Sequence, residues 1–193
     1  LKKKLIISIS ILMGFVLVYY FWPRTIELPQ LGTIEDPQLT SISGKEFQFS
    51  TTKPKLVAFF YTSCPDVCPM TIMDLTKLQE KLQNEGVGEN QYEVILITLD
   101  PEDDTVEKIN QYKSQFKTND NWFFLRGTVE ETKEITDQFN MVFNKDSSGF
   151  ITHSTIMYLL DENNRIRAYH DMNIGKNAVN LDELVENILI LLH

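Results

Sequence analysis

The chain has 193 residues, with 27 Asp and Glu against 18 Lys and Arg, three His and two Cys. A net charge of −9 excludes a nucleic-acid binder, which needs a basic face against phosphate, and 42% apolar with 11% aromatic residues exclude a disordered chain. Two cysteines are too few for a disulfide scaffold, and the length suits one domain with additions.

The charge is unevenly placed. Lys2, Lys3, Lys4 and Arg24 lie in residues 1–24 with no acid, so the remaining 169 residues carry 14 bases and 27 acids, a net of −13. Between these basic residues, Leu5 to Trp22 (LIISISILMGFVLVYYFW) is an 18-residue run without charge. As a helix it would span about 27 Å, close to the hydrocarbon core of a bilayer. Tyr19, Tyr20 and Trp22 sit at one end, where amphipathic rings favour the interface, and Lys2–Lys4 at the other should stay cytoplasmic. A cleavable signal peptide would need small residues at its cleavage site, which FWPRTIELPQ does not offer. A lipoprotein anchor would need a cysteine after the run, and the first is Cys64. The expectation is an uncleaved single-pass anchor over 1–24, a proline-containing tether over 25–37, and a domain over 38–193 on the extracytoplasmic face of the cell membrane.

Gln38 to Ser50 shows two alternating runs around Ser43-Gly44-Lys45, a hairpin signal. Leu56–Tyr61 (LVAFFY) is a continuous apolar run, as for a strand buried on both faces. Met70–Gln83 places Ile72, Leu75, Leu78 and Leu82 at helical spacing, stopped by Gly86 and Gly88. Tyr92–Leu99 reads as a second buried strand. Asp104 or Thr105 caps a helix to about Phe116, and Glu102-Asp103-Asp104 reads as its solvated start. Trp122–Leu125 is a third strand, and Thr128 with Glu131 a capping box. Thr155–Leu160 and Ile166–Tyr169 flank the turn Asp161–Asn164, and Leu181–Leu192 closes the chain as an amphipathic helix. Strands alternating with helices imply an α/β fold, a mixed sheet flanked by helices. Cysteines at the end of its first buried strand make the arrangement thioredoxin-like.

That strand runs into Thr62-Ser63-Cys64-Pro65-Asp66-Val67-Cys68-Pro69. Chemistry in α/β sheets collects at the carboxyl ends of strands, and a helix N-terminus favours thiolate over thiol. Helical residues four apart share a face, so Cys64 and Cys68 are near enough to bind one metal ion or, after adjustment, to form a disulfide. A buried structural pair or a stabilising disulfide are competing readings, although so short a loop removes little unfolded-state entropy. Of the three histidines, His193 is terminal and His170, beside Asp171, reads as surface polarity. His153 precedes the strand TIMYLL, which a thioredoxin-like fold brings beside the cysteine loop. Two thiolates and an imidazole suit copper or zinc. Structural zinc normally takes four protein ligands, so three candidates favour copper.

FFYTSCPDVCPMT, ITLDPEDDT, NWFFLRGT and THSTIMYLLDENNRIRAY, in that order, resemble the Sco (SenC) family of copper-binding cytochrome c oxidase assembly proteins. The resemblance covers almost all of 38–193. It implies copper held by Cys64, Cys68 and His153, and a role in building the binuclear copper centre of cytochrome c oxidase subunit II. It implies a copper donor or thiol reductant as a further partner. Asp100 matches the family's strand-end acid; Asp103 stands where an Arg is common. The start lacks an Arg- and Ser-rich transit peptide, which favours a bacterial source. A metallochaperone is the first expectation. A thiol-disulfide reductase, with Cys64 and Cys68 as a redox-active dithiol keeping the acceptor's cysteines reduced, is the second. A peroxidase would need a base near the cysteine, and Thr62–Thr71 holds no Lys or Arg.

Overall fold

A computed structural model describes residues 2–21, 27–37, 39–43, 46–49 and 51–192. The elements run α1 (Lys2–Phe21), β1 (Gly32–Thr33), β2 (Leu39–Ser41), β3 (Glu46–Phe47), β4 (Lys55–Phe60), α2 (Val67–Asn84), β5 (Glu93–Thr98), α3 (Val106–Lys113), β6 (Trp122–Arg126), α4 (Val129–Gln138), β7 (Phe143–Lys145), β8 (Ile151–His153), β9 (Ile156–Leu160), β10 (Arg165–Asp171) and α5 (Leu181–Leu192).

The two continuous apolar runs become the middle of one mixed sheet, of order β1-β10-β9-β4-β5-β6-β2-β3. β4 and β5 are buried at every position, as strands covered on both faces must be. They pair in parallel from Lys55 opposite Glu93 to Phe60 opposite Thr98. β6 continues the parallel set, whereas β9 lies antiparallel to β4. The β9–β10 turn is the expected one. Asp161 Oδ1 accepts from the N–H groups of Asn163 and Arg165, and Asn164 takes the left-handed conformation, φ 57°, that Asn tolerates.

α2 buries Cys68, Ile72, Leu75, Leu78 and Leu82, the stripe of a helix lying on a core, and packs beside α5. α2 begins three residues before the expected start, because Pro69 fits a first turn, where its missing N–H costs nothing. α4 carries the expected capping box between Thr128 and Glu131, and Thr105 caps α3. The expected strands and helices are thus present. The turn at Gly44-Lys45, together with Trp22, Arg24 and His193, lies outside the described residues.

Three features differ from expectation. Part of the expected tether is sheet: β1 pairs with β10, Ile34 is buried in the core, and Asp36 accepts from the Phe49 N–H. A two-stranded hairpin, β7–β8, stands apart from the main sheet, with Phe143 opposite His153 and Lys145 opposite Ile151. His170 is buried within β10 rather than exposed after it, beside Asn187, and burial lowers its pKa.

α1 is helical, with Ile7, Ile9, Ile11, Leu12, Met13, Phe15, Val16, Leu17 and Val18 all exposed. Among the described residues no helix is long and apolar enough to cross a membrane, and the side chains of Leu5 and Ile6, inside α1, fall outside that set.

Candidate functional site

Cys64 lies in the loop between β4 and α2, and Cys68 in the first turn of α2. Both are free thiols, Cys64 half-buried and Cys68 buried. Asp66, at the N-cap position, makes no side-chain cap bond. The open end of the helix is met by sulfur instead, the Cys68 N–H donating to Cys64 Sγ at 3.4 Å. A helix N-terminus stabilises an anion, and here the anion it meets is a thiolate.

The two thiols differ sharply. The Cys68 S–H bonded to Cys64 lowers the Cys64 pKa to about 5, against the penalty of burial; the N–H groups of Cys68 and Asp66 and the Tyr61 hydroxyl add to the lowering. Cys68 is raised well above the ordinary thiol range, because its proton is held by Cys64 and the group is buried. The pair therefore shares one proton at neutral pH, with the charge on the more accessible sulfur. Burial, then the charges of Cys64 and Cys68, push Tyr61 up to about 12, so its hydroxyl stays a donor.

The structure brings His153 to these cysteines. Its Nε2 is 3.9 Å from Cys68 Sγ. Its Nδ1 is 2.8 Å from the Ser154 carbonyl oxygen. A carbonyl only accepts, so Nδ1 carries the proton and the neutral ring has its lone pair on Nε2, facing sulfur. The ring of Tyr61 packs edge-on to those of His153 and Phe150, at 6.3 and 6.5 Å between centroids. Two soft sulfur donors and an oriented imidazole nitrogen are a donor set for a soft cation. As they stand, no group of three or more His, Cys, Asp or Glu side chains among the described residues is arranged to hold a metal ion. The donors must draw together to take one.

Two further residues belong to this neighbourhood. Asp100, the strand-end acid, is buried and lies 2.8 Å from Lys145 Nζ. Asp104 is not part of a solvated helix start. It is 1% exposed and accepts from the Thr62 N–H, the Thr62 hydroxyl and the Thr98 hydroxyl. Burial raises its pKa, against the opposing effect of these donors. Asp104 thereby ties the end of β5 to the first residue of the cysteine loop. Its acidic neighbours Glu102 and Asp103 are exposed, so the run of three acids concealed which one turns inward. Asp104→Ala leaves these donors unpaired, with an expected loss of about 2–4 kcal/mol and a fall of roughly 5–15 °C in Tm. Thermal unfolding of the reduced protein measures it; an unchanged Tm would mean that water replaces the carboxylate.

The SCO1/SenC family profile matches residues 35–188. An SCO2-like protein of Rickettsia prowazekii is 29% identical over 205 aligned positions, covering 95% of this chain and 96% of that one. Among solved structures, Arabidopsis thaliana ScoI with copper bound is 27% identical with a TM-score of 0.68, over 80% of this chain and 97% of that one. BsSco, described as a member of the Sco family of cytochrome c oxidase assembly proteins with a disulfide switch, shares the fold at 20% identity and a TM-score of 0.74, over 86% of this chain and 98% of that one.

Proposed function

The chain belongs to the SCO1/SenC family, and from that premise we propose that it is a membrane-anchored copper chaperone for cytochrome c oxidase, taking copper on Cys64, Cys68 and His153. Arabidopsis ScoI binds copper, and the family to which BsSco belongs acts in oxidase assembly. The observation that carries the residue assignment is the orientation of His153, its Nε2 lone pair turned to Cys68 Sγ at 3.9 Å while Nδ1–H is held by Ser154.

The copper ion is cargo. Cys64 and Cys68 supply the anionic donors, and His153 a neutral one. An asymmetric site with one accessible sulfur suits hand-over by ligand exchange, since the acceptor's thiolate can enter beside Cys64 while buried Cys68 still holds the ion. The acceptor is the binuclear centre of oxidase subunit II, and a copper donor loads the site. Residues 1–24 form an uncleaved anchor in a bacterial cell membrane, 25–37 join it to the sheet, and 38–193 form the copper-binding domain on the extracytoplasmic face. Nine exposed apolar residues around α1 support the anchor, because a helix apolar on all sides needs an apolar surround.

His153→Ala is expected to weaken Cu(I) binding by about 10²-fold with stoichiometry retained, read by competition with a chromophoric Cu(I) chelator. Wild-type affinity in that variant would overturn the ligand assignment. The lowered pKa of half-buried Cys64, beside a buried Cys68 that can resolve a mixed disulfide, favours a second reading. In it Cys64 attacks a disulfide of the acceptor, Cys68 displaces the product thiol, and the two electrons leave a Cys64–Cys68 disulfide. Oxidase activity separates the readings in cells, since His153→Ala should impair delivery and leave reduction near normal.

A further inference from the structure

The hairpin that carries His153 is tied to the rest of the domain at few points, chiefly buried Ile151, whose backbone bonds to the Tyr61 hydroxyl. Among the described residues, β7 and β8 pair with each other and with no strand of the main sheet. Each strand has three residues, and an isolated short hairpin is marginal by itself. At its open end, Ser154 N–H donates to the Val142 carbonyl. At its tip, Asp146 Oδ1 accepts from the N–H groups of Ser148 and Phe150, and Gly149 has the φ of 88° that closes the turn. These bonds shape the hairpin; Ile151 seats β8 on the core, and β7, which carries Lys145 opposite it, has no such seat of its own. Packing beneath it is incomplete. A cavity of about 180 Å³ is lined by Leu99, Asp100, Thr132, Phe143 and Lys145 among others, and the Thr132 hydroxyl there is buried without a hydrogen-bond partner among the described residues. A seat bordered by an open cleft makes fewer packing contacts than a closed one.

A charged contact crosses this gap. Lys145 Nζ lies 2.8 Å from Asp100 Oδ1 and 2.6 Å from Asp103 Oδ2. Exposed pairs stabilise little, but the Asp100 side chain is only 7% exposed, and a buried carboxylate without its cation is costly. The acids stand on a rigid segment. Arg126 donates to the carbonyls of Pro101 and Asp104, and the Asp104 N–H donates to the Asp100 carbonyl. The same segment holds the cysteine loop, through Asp104 and Thr62.

We propose that Asp100–Asp104 is a bracket joining the two halves of the copper site, with Lys145 the positioning residue that clamps the His153 hairpin to it. One end of the bracket holds the loop of Cys64, and the other, through Lys145, sets how close His153 Nε2 stands to Cys68. The inference rests on His153 being a copper ligand.

The test uses the full reduced chain in detergent, with Lys145→Met, Lys145→Arg, His153→Ala and the Lys145→Met/His153→Ala double variant. Lys145→Met/Asp100→Asn is added because it leaves no buried carboxylate unpaired and so guards against a folding defect. Hydrogen exchange on the metal-free protein reads the clamp directly. In Lys145→Met and in Lys145→Met/Asp100→Asn, amides of 143–145 and 151–153 are expected to exchange about 10-fold faster or more, while those of β4 and β5 are unchanged. Cu(I) affinity is expected to fall about 10-fold in both, to recover in Lys145→Arg, and not to fall further when Lys145→Met is added to His153→Ala. Unchanged hairpin exchange would overturn the clamp, as would equally faster exchange in the core strands. Additive losses in the Lys145→Met/His153→Ala variant would show that Lys145 does not act through His153. Wild-type Cu(I) affinity in His153→Ala would instead overturn the ligand assignment, and hairpin exchange would still judge the clamp.

Discussion

Cys64→Ala and Cys68→Ala are each expected to weaken Cu(I) binding by at least about 10³-fold, or roughly 4 kcal/mol, so that the purified reduced variants no longer retain stoichiometric copper. The reason is the charge and softness of the donors. Thiolate is the form that binds soft cations, and a neutral imidazole with one remaining sulfur is a weak set. The shared proton gives this prediction a pH signature. Cys64 is lowered to about 5, so above that pH it already carries its charge. Cys68 is raised and must lose its proton when copper binds. One proton is then displaced per ion, and Cu(I) affinity should rise about tenfold per pH unit between roughly pH 7.5 and 8.5, above the range in which an imidazole ligand also gives up a proton. Two ordinary thiols would release two protons and give a slope twice as steep. Copper binding and its pH dependence come from the same competition titration. Full stoichiometry in either cysteine variant would sink the site, and a two-proton slope would show that the pair does not share its proton.

Removal of residues 1–24 is expected to move the protein entirely from the membrane fraction to the soluble one. α1 exposes Ile11, Leu12, Met13, Phe15, Val16, Leu17 and Val18, which between them cover every side of the helix. Burying one such side chain is worth about 1.5–3 kcal/mol, so a segment of this kind is expected to hold the protein in the bilayer against salt or alkaline washing. The domain should remain folded when released, since its core of β4, β5, β6 and β9 is independent of α1. Fractionation of cells expressing the full chain and the chain lacking 1–24, followed by carbonate extraction, reads the result. A full chain extracted by carbonate, or a truncated chain still in the pellet, would refute the anchor.

The elements visible in the sequence were those with a continuous apolar run or a long one-sided apolar stripe. LVAFFY and YEVILITL could only be strands covered on both faces, and Ile72, Leu75, Leu78 and Leu82 could only line one face of a helix. β7 and β8 had no such pattern. Each is three residues long, and Asn144, Lys145, Thr152 and His153 are polar because this hairpin lies outside the main sheet. The turn Asp146-Ser147-Ser148-Gly149 that joins them stands out only once the strands on either side are known. His170 looked superficial beside Asp171, yet alternation along β10 turns one residue inward and the next outward. Asp104 was hidden by its neighbours for a similar reason. Three consecutive acids look equivalent in sequence, but the turn after β5 directs Asp103 to Lys145 and Asp104 to Thr62 and Thr98.

By itself the sequence determined the order of strands and helices, the acidic domain behind a basic apolar start, and the placing of Cys64 and Cys68 where a buried strand meets a helix. These are local properties, written in hydrophobic period, charge and spacing. Only the tertiary structure decided that Cys64 is the more accessible and more acidic thiol and Cys68 the buried one, that His153 turns Nε2 to Cys68, and that one short segment holds the cysteine loop through Asp104 and the histidine hairpin through Lys145. Residues 64, 104, 145 and 153 are far apart in the chain. Their distances and burial, which set hydrogen bonds and pKa, come into being only when the sheet closes around them.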